Sequence, residues 1–97
     1  APQVTLNPSD VTVLEGYTAT FTAAASGLPT PTVQWQVSTD GGQTFTNITG
    51  ATSPTLTVVA YEGMNRYHYR AVFTSPYGVA ITTDAVLYVQ SNDGGGD

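Results

Sequence analysis

At 97 residues the chain has room for one domain and not for two. It holds no cysteine, which excludes disulfides and thiolate metal sites, and its single histidine leaves zinc without a ligand set. Seven acidic residues against two arginines give a net charge of −5 with no lysine, which argues against nucleic acid or an anionic membrane as partner and removes any Lys–Asn isopeptide bond.

Taken in order, residues 1–4 read as a cut inside a longer protein. Val11 and Val13 open the first predicted strand, which ends at the turn signal Glu15-Gly16. Residues 17–25 alternate, with Ala19, Phe21, Ala23 and Ala25 on one face and mostly threonine on the other. After Gly27-Leu28-Pro29, residues 33–37 put Val33, Trp35 and Val37 inward against Gln34 and Gln36. Asp40-Gly41-Gly42 and Gly50 mark turns, and Leu56 with Val58 forms another strand. Beyond Glu62-Gly63, residues 67–73 place Tyr67, Tyr69, Ala71 and Phe73 inward and His68, Arg70 and Val72 outward. Ser75-Pro76-Tyr77-Gly78 turns the chain into residues 79–89, read as one strand with Val79, Ile81, Ala85, Leu87 and Val89 inward. Residues 1–90 are thus one domain, and residues 91–97, Ser-Asn-Asp-Gly-Gly-Gly-Asp, read as a flexible linker. No window supports an amphipathic helix, and none approaches the ~20 apolar residues of a membrane span. About seven or eight short antiparallel strands with frequent turns make an all-β sandwich.

Three segments carry a family resemblance. Gly16 to Gly27, ending Ala-Ser-Gly, looks like strand B of an immunoglobulin-like domain. Pro29 to Trp35 looks like the entry to strand C with its core tryptophan, and Tyr67 to Ala71 followed by Tyr77-Gly78 looks like strand F and its turn. The chain resembles the cysteine-free bacterial immunoglobulin-like (I-set-like) domains of modular surface and secreted proteins, over residues 3–89. The resemblance implies a two-sheet Greek-key sandwich without a disulfide, with Ala23 and Tyr69 at the two half-cystine positions and Trp35 beside them. It implies a tyrosine corner, in which the Tyr67 hydroxyl bonds backbone near Tyr61 to Gly63. The sequence departs from the family at Gly63, where an aspartate is usual. The expected core is Phe21, Ala23, Trp35, Leu56, Tyr67, Tyr69 and Leu87.

Few residues point to chemistry. His68 faces outward, with Asp84 expected across from it or from Arg70. Without a nucleophile this pair reads as a surface contact worth under about 1 kcal/mol, and no enzyme activity is expected. Immunoglobulin topology gathers Glu15, Asp40, Glu62 and Asp93 near one pole, as candidate calcium ligands at a domain junction; no other cofactor is expected. Tyr17 and Tyr61 share that pole, as candidate contacts for a ligand or a neighbouring domain, with Tyr77 at the other pole.

These readings converge on a non-catalytic, monomeric spacer in a larger secreted or cell-surface protein, such as a stalk or adhesin repeat. Its partners are the neighbouring domains of its own chain. The alternatives are a module that binds glycan or a host protein, and an accessory domain packed on a secreted enzyme.

Overall fold

The computed structural model describes residues 2–91, and the assigned linker beyond Ser91 lies outside them. Ten strands and one 3-10 turn make up the chain: β1 (Gln3–Leu6), β2 (Val11–Leu14), β3 (Thr18–Thr22), β4 (Ala24–Ser26), β5 (Thr32–Ser38), β6 (Thr46–Asn47), β7 (Thr55–Val59), β8 (Tyr67–Ser75), β9 (Gly78–Ile81) and β10 (Ala85–Gln90), with the turn at Glu62–Met64. One sheet has the order β2-β10-β8-β5-β6, with β9 also paired to β8. Facing it lie the pairs β3-β7 and β1-β4. This is the immunoglobulin-like sandwich that the resemblance implied, with all pairings antiparallel except β2 on β10.

The core follows from period-two alternation. Ala19, Phe21, Ala23 and Leu56 from one layer, and Val33, Trp35, Tyr69, Ala71, Phe73, Ala85, Leu87 and Val89 from the other, are all buried. The Phe21 and Tyr69 rings stack at 4.9 Å with 30° between planes. An aromatic pair therefore bridges the sheets where a disulfide is absent. Trp35 is fully buried, and its indole Nε1 donates to the Ser53 carbonyl at 2.7 Å. The main chain of Trp35 is held as well, its N–H by Ala51 O at 2.9 Å and its carbonyl by Ile48 N at 2.9 Å. Trp35 thus fills the interior and pins the segment that crosses between sheets, which reaches β3 through Ala23 N to Pro54 O at 3.0 Å.

Breaks in three strands account for ten short strands where seven or eight were expected, and neither β1 nor β6 was anticipated. The first strand splits at Asn7–Asp10, sending β1 to one layer and β2 to the other. The last one splits at Thr82–Asp84, which corrects the single inward face assigned to residues 79–89. Val72 pairs with Ile81, but Tyr69 pairs with Ala85, so the register slips by one residue. Such a bulge reverses the face of every residue on one side of it. Val79 and Ile81 therefore point outward, 58% and 50% exposed, while Ala85, Leu87 and Val89 stay inside. Side chains from the other break satisfy this one: Thr83 N donates to Asn7 Oδ1 at 3.0 Å and Val86 N to Asp10 Oδ1 at 2.9 Å.

The expected tyrosine corner is also corrected. Tyr67 is half-buried against the core, and its hydroxyl makes no hydrogen bond among the described residues. Asn65 secures that turn, its Oδ1 accepting from Val89 N at 2.8 Å while Arg66 N donates to Leu87 O at 2.6 Å.

Both ends of the chain are placed by this topology. Gln3 pairs with Ser26 at one pole, and Gln90 O accepts from Glu15 N at the other. The body measures 53 × 21 × 20 Å along its principal axes.

Candidate functional site

Two turns meet at the pole where β10 ends. Gly16 N donates to Ala60 O at 2.7 Å, and Ala60 N donates to Tyr17 O at 2.9 Å. This places Tyr17 and Tyr61 at the same end, 59% and 63% exposed, with their rings not stacked on one another. Glu15 and Glu62 flank the same two turns. Tyr77, after β8 has run the length of the sandwich, lies at the opposite pole with the cis Leu28–Pro29 bond.

Asp40 is occupied elsewhere. Its Oδ1 accepts the Ser38 hydroxyl at 2.6 Å and the amides of Gln43 and Thr44 at 3.1 and 2.9 Å, and its Oδ2 accepts the Thr44 hydroxyl at 2.5 Å. These donors, Ser38 foremost and then Thr44, hold the carboxyl well below the usual carboxylate range. The fully buried Ser38 hydroxyl in turn accepts from Gly42 N at 2.8 Å. The loop therefore folds back over the outer face of β8 instead of extending from the pole. Gly42 has φ +95°, and a Cβ there would sit 3.2 Å from Asp84 Oδ2 and 3.3 Å from His68 Nδ1. Of the proposed calcium ligands, Glu15 and Glu62 share an end, Asp40 is turned into its own loop, and Asp93 lies outside the described residues. Among the described residues no three of His, Asp and Glu converge on a position for a metal ion.

The outer face of β8 carries His68 and Arg70, and Arg66 stands in the turn just before it. His68 Nδ1 lies 3.3 Å from Asp84 Oδ2. Arg70 Nε donates to Gln36 Oε1 at 2.8 Å, and its guanidinium lies over the Phe45 ring, 3.9 Å from the centroid. No nucleophile bonds His68 among the described residues, so the His68–Asp84 pair has the parts of a cross-strand contact and not of a triad. Beside it, Arg66, His68, Val86 and Tyr88 line a shallow cavity of about 360 Å³. The sequence reading passed over Arg66, because nothing in a lone turn arginine reveals which face it joins. A larger open cleft of about 700 Å³ lies between β4 and β5, with Ala25, Pro31, Val33, Pro54 and Phe73 in its walls. It has no charged residue in its lining.

A family model described as a domain of unknown function (DUF8696) matches residues 5–91. The chain is 51% identical over 78 residues to Endoglucanase C of Cellulomonas fimi, a match spanning 80% of this chain and 7% of that protein. Among solved structures, the tandem Ig repeats of Dlar align with a TM-score of 0.75 and 23% identity, over 94% of this chain and 49% of that one. The titin domains Z1Z2 in complex with telethonin align with a TM-score of 0.70 and 31% identity, over 94% of this chain and 48% of that one. These likenesses agree on an immunoglobulin-like sandwich, and the bacterial relative is a far longer protein in which the matched stretch is a small part.

Proposed function

The chain belongs to the DUF8696 family, and from that premise we propose that it is a non-catalytic spacer in a larger secreted bacterial protein, holding a catalytic or adhesive domain at a set distance. The observation that carries this reading is the position of the two ends. The strand beginning at Gln3 and the strand ending at Gln90 terminate at opposite poles of a body 53 Å long, so successive domains would continue along its axis. The kinship to one stretch of a bacterial endoglucanase supports a polysaccharide-degrading, exported parent. In that setting Tyr17 and Tyr61 at the exit pole are contacts for the following domain.

Small-angle scattering on this chain with its natural neighbour on each side tests the reading. A spacer gives a narrow distribution of separations between the two neighbours, at or above the 53 Å long axis. A broad distribution reaching well below that length would mean that the neighbours fold back, and the spacer reading would fall.

A further inference from the structure

The chain has two arginines, no lysine and one histidine. All three stand in one row, at alternate positions entering and following β8: Arg66, His68 and Arg70. Two of them have partners, His68 with Asp84 and Arg70 with Gln36 and Phe45. The Arg66 guanidinium has none among the described residues. It is also held by an unfavourable backbone. Arg66 has φ +73°, the only non-glycine residue in the left-handed region among those described. A glycine would adopt that conformation with less strain. Strain kept at an exposed, unpaired cation points to a role for that side chain.

The surroundings of Arg66 define what it would hold. It borders the cavity of about 360 Å³ shared with His68, Val86 and Tyr88. The Tyr88 ring is 40% exposed and offers a flat apolar surface beside the cation. A guanidinium with no partner among the described residues pairs with an oxyanion, carboxylate or phosphate, and the acidic chain disfavours the more highly charged phosphate. The net charge of −5 repels a polyanion, so a single carboxylate on an otherwise neutral polymer is favoured over a densely charged one. The adjacent aromatic ring favours a sugar, whose apolar face stacks on it, over an acidic side chain.

We propose that this cavity binds a uronic acid unit carried on an otherwise neutral polysaccharide, with its carboxylate on Arg66 and its ring face on Tyr88. The choice of a sugar rests in part on the reading of the chain as a module of a polysaccharide-degrading protein, while the carboxylate site itself does not.

The test is NMR titration of the chain at low salt with three probes: xylotriose bearing one glucuronic acid, unsubstituted xylotetraose, and tetraglutamate. The acidic oligosaccharide is expected to shift the amide signals of Arg66, His68 and Tyr88 and to bind at least tenfold more tightly than either comparison probe. Arg66→Gly is expected to weaken that binding at least tenfold while melting at or above the wild-type temperature, since it relieves the left-handed conformation. Tyr88→Val keeps a strand-forming residue and is expected to weaken binding severalfold. Equal binding of xylotetraose, or binding unchanged in Arg66→Gly, overturns the site. Tighter binding of tetraglutamate overturns the sugar and leaves the carboxylate site standing. Scattering on the neighbouring domains is blind to all of these outcomes, so failure of the spacer reading is separately visible.

Discussion

Trp35 concentrates more of the fold than any other side chain. It is buried completely, and it holds the crossing segment through its indole as well as its backbone. Trp35→Ala should therefore cost about 3–5 kcal/mol in urea unfolding at 25 °C, a large share of the stability of a domain this size. A loss below about 1 kcal/mol would show that neighbouring side chains collapse into its place. Asp40 acts through protonation. Its folded carboxyl titrates below the ordinary 3.8, so the unfolded chain binds the proton more readily. Its contribution is complete above about pH 4 and fades as pH falls from there toward the lower folded value. Asp40→Asn should flatten the acid limb of the stability–pH curve while leaving its slope near neutrality unchanged. Acid titrations of the two proteins that run parallel down to pH 2 would contradict this. Tryptophan and its face were legible from alternation, whereas the Asp40 network was not, because its donors come from a loop whose return path has no period.

At the scale of elements, strand identity was easier to read than strand continuity. Residues 79–89 alternate in sequence as though they were one strand, and a single bulge at Thr82–Asp84 divides them. Removing Thr83 would force either Val79 and Ile81 inward or Ala85, Leu87 and Val89 outward. That deletion is expected to abolish the folded state, read as loss of a cooperative melt; a variant melting within a few degrees of the wild type would mean that the bulge can migrate. The turn before β8 offers a gentler case. Asn65→Ala strands the Val89 amide and should cost about 1–2 kcal/mol, whereas Tyr67→Phe removes a hydroxyl with no bond among the described residues and should cost far less. Chemical denaturation of the pair decides it, and the reverse order would restore the tyrosine corner. Asparagine carries no signal for this role in a sequence, since it serves many turns equally well.

For the whole molecule, the poles matter more than the faces. Opposite ends and a long axis suit a link in a chain of domains, and under the proposed spacer role the exposed Tyr17 and Tyr61 would face the next link. Among the described residues the acids grouped by topology do not converge, because Asp40 is spent on its own loop. Calcium at 1 mM and a chelator should therefore give melting temperatures within about 1 °C of each other for this chain. A rise of several degrees with calcium would show that the remaining pole acids recruit further oxygen ligands. The row of Arg66, His68 and Arg70 is the one feature that a plain spacer does not require.

The sequence alone determined the class of fold, the absence of a disulfide and the main interior residues, because alternation and aromatic spacing are local properties that survive in any register. Tertiary structure alone decided which layer each half of a split strand joins, which asparagine or aspartate closes a break, and that Arg66 stands beside Tyr88 with no partner for its guanidinium among the described residues. Those outcomes depend on pairings between residues far apart in the chain, such as Asn7 with Thr83, and only the packing of the two layers selects among them.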